Sequence, residues 1–542
     1  MELLIKNGLI IDGSGSQGYK SDILIKEDKI VKIGKNLETQ QGKIIDASSK
    51  IVSPGFIDMH SHADLTILQV NTAEAYLMQG VTTLACGMCG LGIAPANDKV
   101  RKYYSTLVKS IIGSSRLNLF ESIKEFTEEL DRKGISPNLA LFIPHGNVRT
   151  CILGMEDRVP TQKELKAMKN LIRRGMENGA FGLSTGLIYP PGILTSKQEL
   201  IEVCKVLADY NGIYDSHMRN EGTRIIDIGM SELIDIARTC KIQAQISHWK
   251  AGINSAWYLT SDMINFVNKA RKEGLKIFAD VYPYEESSTS LSGILLKPWV
   301  YNSFQENLTD LNKRQKIVNE FTESLSSSYI SSISQDISNS ELQNVIFAYL
   351  MKKIRIISVL YHHEIEGLML GKALKNLYPT KNFPDALLDF IRDEEGSIMI
   401  SVKQMSERKS ILSLFKQEFV SIGSDGFLVT DSNTHPRSYG TFPKILSRYI
   451  REKGIVSLEE GIRKMTSLPA SILHLRDRGI IKPDYKADIV VFDFNTIKDM
   501  STYENGRQFP AGIEYVIVNG KITIENGKHL GTLNGKVLKH RP

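Results

Sequence analysis

His60 and His62 flank a serine in the stretch GFIDMHSHAD, at the end of an apolar run. On an extended strand a spacing of two turns both imidazoles to one side, where they face one point. Paired neutral imidazoles suit a divalent transition metal such as zinc, although His-x-His by itself is as often incidental. Asp64, two positions on, is a residue type that orients a ligating imidazole through its ring N–H, and equally one that caps a loop. Three more residues of ligand type close apolar runs: His217 in YDSHMRNEG, His248 in QISHWK and Asp425 in IGSDG. An aspartate in SDG is often only a turn residue. Together, however, carboxylate and imidazoles would hold a metal and leave one position open for water.

CGMCG, at residues 86–90, offers Cys86 and Cys89 with two residues between them. A zinc knuckle built on that pair needs two more cysteine or histidine ligands at short range, and none lies close in sequence. A redox pair opens a helix in a thioredoxin-like setting, which a strand end does not match. His145, in FIPHGNVR, also ends an apolar run and is left without a role. The neighbours His362 and His363 in LYHHEIEG point apart on a helix, which suits a surface pair better than a metal.

These residues need elements that bring their ends together. Eight short apolar or β-branched runs, IVSPGFIDMH, VTTLACG, LALFIPHG, AFGLST, GIYDSH, AQISH, KIFADVY and FVSIGSD, alternate with helix-like segments. Two of those, TQKELKAMKNLIRRGMENG and SKQELIEVCKVLADYNG, begin at Thr or Ser with a glutamate close behind and end near glycine. The alternation predicts a (β/α)8 TIM barrel in the α/β class, with an open doubly wound sheet as the other arrangement it permits. In a barrel, the C-terminal strand ends that carry the histidines and Asp425 form the catalytic face.

The first 50 residues and the last 60 alternate differently. LLIKNGLIID, DILIKEDKIVKIG, GKIIDASSKIV, KADIVVFDF and EYVIVNGKITIENGKHLG read as strands, with a hairpin at Asn519-Gly520. The two termini are expected to pair into one small β-sandwich-like domain, two separate β-modules being the alternative. One connection, after the seventh run, is too long for a barrel loop. It holds the Ser-rich stretch ESLSSSYISSISQDISNS and helical stretches near NVIFAYLMKKIRIISVL and FPDALLDFIRDEEG. Such an insertion covers the active face or mediates assembly into a homo-oligomer. The division predicted is residues 1–52 and 476–542 for the β-domain, 53–284 and 397–475 for the barrel, and 285–396 for a lid.

Composition narrows the class. The chain has 542 residues, 42% hydrophobic and 24% charged, which is ample for a globular core. A net charge of +6 with no basic stripe gives no reason to expect nucleic acid. The run Lys352-Lys353-Ile354-Arg355 reads as a solvated helix face. Five cysteines over this length do not make a disulfide scaffold and suit a reducing cytosol. No apolar stretch reaches the roughly 18 residues of a membrane span, and the N-terminus does not read as a signal peptide.

GFIDMHSHAD, GVTTLACGMCG, GAFGLSTGLIYPPG, YDSHMRNEG, ISHWK, DVYPY, IGSDG and HPRSYGTF together resemble the D-aminoacylase family, the N-acyl-D-amino-acid deacylases of the amidohydrolase superfamily. The resemblance covers about residues 1–290 and 397–530 and fades over about 300–396. It implies a zinc-dependent hydrolase with Cys89, His217 and His248 as a tighter site, and His60, His62 and Asp425 as a second, weaker or vacant one. Cys86 has no counterpart role and reads as a small buried strand residue. Many superfamily members bridge two metals with a carboxylated lysine at the fourth strand. This chain has Ser184 and Thr185 there, and a Cys89 thiolate is the consistent substitute.

The reaction implied converts an N-acyl-D-amino acid, a small-molecule partner, to a carboxylate and a free D-amino acid. Asp425 would take the proton from water and give it to the departing amine. The substrate carboxylate needs fixed positive charge. Lys250, two residues past His248, and Arg437, with its planar fork, are the candidates. The resemblance adds Tyr189 and Tyr282 as substrate contacts. A cyclic amide hydrolase of the hydantoinase or dihydroorotase kind shares HSH and the terminal aspartate but not GMCG. A non-catalytic scaffold would have lost ligands that this chain keeps.

Overall fold

The computed structural model describes residues 2–107, 117–329, 338–429 and 431–541. The eight apolar runs become Phe56–Asp58, Val81–Cys86, Asn138–Leu141 continued by Ile143–Pro144, Gly182–Gly186, Ile213–His217, Gln243–Ile246, Ile277–Val281 and Val420–Ile422. From the fourth strand onward each pairs in parallel with the next, as do the first three and the Ile143–Pro144 segment with the fourth. The ring closes between the eighth and first. Met59 N–H donates to Ile422 O at 3.0 Å, Asp425 N–H to His60 O at 2.7 Å, and Ser61 bridges Gly426. An open doubly wound sheet has no such closing ladder, so the α/β chain is a barrel.

The helices between the strands follow from caps and stripes. Gln162–Glu177 starts at Thr161, whose hydroxyl accepts the Glu164 N–H while the Glu164 carboxylate accepts the Thr161 N–H. Its buried stripe, Leu165, Met168, Ile172 and Met176, recurs every three or four residues. Each such side chain contributes roughly 1.5–3 kcal/mol by leaving water.

Strands from both termini join one nine-stranded sheet, in which Ile51–Pro54 lies between Glu2–Ile10 and Ile489–Phe492. One core gathers Ile5, Ile23, Ile25, Val52, Ile489 and Val491. Asn519 (φ 46°) and Gly520 (φ 78°) turn the hairpin between Ile513–Val518 and Lys521–Glu525, as a two-residue type I′ loop requires. The end of the chain departs from the division by sequence. Val537–Leu538 pairs in parallel with Leu139 and Ala140, inside the barrel wall rather than the terminal sheet.

The insertion is more ordered than its composition announces. Ser287–Ser290, Ile398–Val402 and Ile354–Val359 form an antiparallel sheet with Ile398–Val402 in the middle. The boundary at 397 therefore moves: that strand belongs to the insertion. The stretch NVIFAYLMKKIRIISVL splits, with helix Asn339–Lys353 followed directly by strand Ile354–Val359, because the β-branched run IRIISV has no helical polar face. Arg355 is thus a strand residue, ion-paired to Glu504 at 3.0 Å, rather than part of a solvated helix face. Phe383–Asp393 is helical. The Ser-rich stretch contributes to helix Leu311–Tyr329, and its residues 330–337 lie outside the described residues. Among the described residues no helix is long and apolar enough to cross a membrane.

Candidate active site

The hydrogen bonds that close the barrel also set the first ligand group. His62 N–H donates to Gly426 O at 2.9 Å, so His60, His62 and Asp425 sit on adjacent strand ends. Asp58 Oδ1 accepts from His60 N–H at 3.1 Å and Ser424 N–H at 2.8 Å and locks the two together. Burial raises the Asp58 carboxyl to about 7. His62 Nε2 lies 3.2 Å and His60 Nε2 3.6 Å from Asp425 Oδ1.

Cys89 stands on the turn after the second strand, where Gly87, Cys89 and Gly90 all have positive φ. A Cβ on Gly87 would meet Phe142 O at 2.4 Å, so the turn can pack there only as glycine. Ser184, on the fourth strand where no lysine stands, holds this turn: its hydroxyl accepts Gly90 N–H at 3.1 Å and donates to Gly87 O. The Cys89 sulfur then lies 3.3 Å from His60 Nε2, 3.5 Å from His248 Nε2 and 3.7 Å from His217 Nδ1. It belongs to two potential metal-holding groups at once, His60–His62–Cys89–Asp425 and Cys89–His217–His248. Burial raises the Cys89 thiol to about 11. A cation against the sulfur is what would draw off its proton at neutral pH. Sulfur and imidazole donors with one carboxylate match zinc. Cys86 is buried in the strand with its sulfur 3.2 Å from Ser61 Oγ, away from the histidines.

Two carboxylates missed by the sequence reading hold the histidines. Asp280, in DVYPY at the end of the seventh strand, accepts His248 N–H at 2.9 Å and lies 3.8 Å from His60 Nδ1. Glu221, four residues after His217, lies 3.1 Å from His248 Nδ1 and accepts from Lys250 Nζ at 2.7 Å. Both stood inside motifs quoted for other residues. Asp64, expected near an imidazole, instead accepts the Gly87 N–H at 3.3 Å and braces the Cys89 turn. His145 begins the helix His145–Leu153 and faces Glu199 at 3.7 Å, with its ring pushed down to about 3 by burial and the neighbouring arginines. His362 bonds Glu394, 32 residues away, and His363 bonds Glu366, so each ring has its own carboxylate partner.

The four residues expected on substrate also converge. Lys250 is buried but held by Glu221, with its ammonium 3.1 Å from His248 O. Arg437 Nη1 lies 2.7 Å from Asp425 Oδ2, and Nη2 donates to Ser288 O at 3.2 Å. The Tyr282 ring lies between them, 5.8 Å from Lys250 Nζ and 5.3 Å from Arg437 Cζ. Its hydroxyl donates to Ser287 Oγ at 3.1 Å. Tyr189 packs edge-on against His217 and shares a 2.9 Å hydrogen bond with Thr289 Oγ1. Ser287, Ser288 and Thr289 come from the insertion's edge strand, which roofs the site. Burial alone would raise the Asp425 carboxyl. The Arg437 guanidinium and the His62 hydrogen bond outweigh it and hold Asp425 well below the usual carboxylate range.

Comparison with known proteins finds similarity along nearly the whole chain. The model of the Amidohydrolase family matches residues 416–524. The D-aminoacylase of Alcaligenes xylosoxydans xylosoxydans is 29% identical over 540 residues, 99% of this chain and 97% of that protein. The N-acyl-D-glutamate deacylase of the same organism is 28% identical over 531 residues, 96% and 93% of the two chains. The crystal structure of N-acyl-D-glutamate deacylase from Bordetella bronchiseptica, complexed with zinc and a phosphonate mimic of the tetrahedral intermediate, superposes with a TM-score of 0.79. It is 26% identical and covers 99% of both chains. Over nearly its whole length the chain is similar to D-aminoacylase and N-acyl-D-glutamate deacylase, and its C-terminal part matches the Amidohydrolase family.

Proposed function

We propose that this chain is a zinc-dependent hydrolase that cleaves the amide bond of N-acyl-D-amino acids, releasing a carboxylate and a free D-amino acid. The observation that carries the reading is the Cys89 sulfur, 3.3–3.7 Å from three imidazoles and shared between two ligand groups. Cys89, His217 and His248 would hold one zinc ion, and His60, His62 and Asp425 a second with Cys89 in common. Buried carboxylates outnumber the fixed cations Lys250 and Arg437 around this centre, which favours a divalent ion. When bound, zinc acidifies water to a pKa of about 7 and polarises the acyl carbonyl.

Asp425 lines both cavities that meet at the ligand groups. It takes a proton from the attacking water and passes it to the leaving amine, which is too basic to depart unprotonated. Arg437 and Lys250 supply positive charge for the substrate carboxylate, and Tyr189 and Tyr282 present hydroxyls beside it. The insertion's edge strand roofs the site, and a lower local dielectric there would strengthen each of these contacts.

The test is a panel of N-acetyl-D- and N-acetyl-L-amino acids with dihydrouracil, a cyclic amide, assayed with zinc. Turnover confined to the D-series is expected. Turnover of the cyclic amide alone would return the chain to the hydantoinase type. Asp425→Asn should keep zinc and lose turnover, and near-normal activity would remove Asp425 as the proton carrier.

A further inference from the structure

Two chambers meet at the centre. They share Tyr189, His217, His248, Ser288, Thr289 and Asp425, so a scissile bond placed there sends one half of the substrate into each. The first chamber combines Lys250 and the Tyr282 and Ser287 side chains with a long apolar wall. The second is lined by Leu91, Gly293, Met399 and Phe427 beside Arg437. An N-acyl-D-amino acid carries a carboxylate and a side chain on one half and only an acyl chain on the other. Arg437 stands at the boundary, donating to Ser288 O at 3.2 Å and lying 5.3 Å from the Tyr282 ring, both part of the first chamber's lining. Its charge with Lys250 and the apolar wall therefore match the first chamber to the amino-acid half.

The wall of that chamber is Leu325, Tyr349, Leu350, Ile354, Val402 and Met405. All six come from the insertion or the segment just after its last strand, and the first four lie where the motifs of the family fade. Leu350 and Ile354 are each only 1% exposed. The Tyr349 hydroxyl is raised to about 12 by burial alone. The charged groups of the chamber, Glu221, Lys250 and Asp425, come from the barrel and not from the insertion. Lys250 is the cation among them, and Glu221 already holds it at 2.7 Å.

Resting on the function proposed above, we infer that this chamber selects N-acyl-D-amino acids with apolar side chains and rejects acidic ones. A carboxylate set against this wall would be buried among six apolar or aromatic side chains, and Lys250, the cation lining the chamber, is already held by Glu221 at 2.7 Å. An uncompensated buried charge is among the costliest things a protein site can accept.

The experiment compares kcat/KM for N-acetyl-D-leucine and N-acetyl-D-glutamate on the zinc-loaded enzyme. It is paired with calorimetric titration of free D-leucine and D-glutamate, which reads the chamber without turnover. Leucine should lead by on the order of 100-fold or more. Tyr349→Arg, at a partly exposed position, should narrow that ratio by about 10-fold, and Met405→Lys serves as the second variant if the first unfolds. A ratio near one, or a preference for glutamate, overturns the inference. So does a gain from lengthening the acyl group that exceeds the gain from enlarging the side chain, because it would assign the wall to the acyl half. If neither substrate turns over but D-leucine binds more tightly than D-glutamate, the chamber's preference stands and the proposed reaction falls.

Discussion

Arg437 Nη1 and Asp425 Oδ2 lie 2.7 Å apart, both buried, with His62 on the other oxygen of the carboxylate. The arginine expected to greet the substrate is therefore also the partner that keeps Asp425 ionised and aimed. Losing one side of a buried pair costs about 3–5 kcal/mol, because the remaining charge is stranded.

Arg437→Met should lower kcat as well as raise KM, with kcat/KM falling by about 100-fold or more. Arg437→Lys keeps the charge but not the fork that reaches both Asp425 and Ser288, and should fall between. Steady-state kinetics on the zinc-loaded variants decides the matter. A rise in KM with kcat untouched would assign Arg437 to substrate alone.

Cys86 and Cys89 should part company under substitution. Cys89→Ala removes the one sulfur common to both ligand groups, and elemental analysis should find zinc reduced or absent together with activity. Cys86→Ser places a hydroxyl near Ser61 Oγ in a buried strand and should cost only about 1 kcal/mol, with metal content intact. The opposite pattern would mean that Cys86 is the ligand.

Asp280 touches two proposed ligands without being one, through the His248 N–H at 2.9 Å and the His60 ring at 3.8 Å. His248 also sits at φ 34°, a conformation that needs such a tether. Asp280→Asn should weaken zinc binding by about 10–100-fold, measured by chelator competition, as loss of a carboxylate behind a ligating histidine does. Unchanged affinity would reduce Asp280 to a packing residue.

The barrel was legible because each strand is a short apolar run whose last residue differs from the rest. His217, His248 and Asp425 advertise strand ends by breaking the pattern. Asp280 and Glu221 were not legible as partners, since what they hold comes from other strands: His60 and the His248 backbone for one, His248 and Lys250 for the other. Lys250 shows the same limit. Its spacing from His248 put it on the right face, but nothing local shows that Glu221 already occupies it. In the insertion, IRIISV reads as a helical continuation until Ile398–Val402 pairs with it from about 40 residues away.

Lys464 gives the fold a testable dependence on pH. It is fully buried on helix Leu458–Met465, donates to Gln417 O and to Val420 O at 3.2 Å, and so ties that helix to the eighth barrel strand. Burial pushes its ammonium from 10.5 down to about 8. Between those values the unfolded chain keeps a proton that the folded chain has released. Raising the pH through that window therefore favours the folded state, and below pH 8 the contribution is flat. The gain amounts to about 3 kcal/mol at most, since each pH step of one across the window is worth roughly 1.4 kcal/mol. Lys464→Met loses both hydrogen bonds and cannot titrate. Urea unfolding at pH 7, 8, 9 and 10.5 should show the native chain ahead at neutral pH and its lead over the variant widening only above pH 8. A lead that stays constant to pH 10.5 would mean that the buried ammonium titrates at its ordinary value.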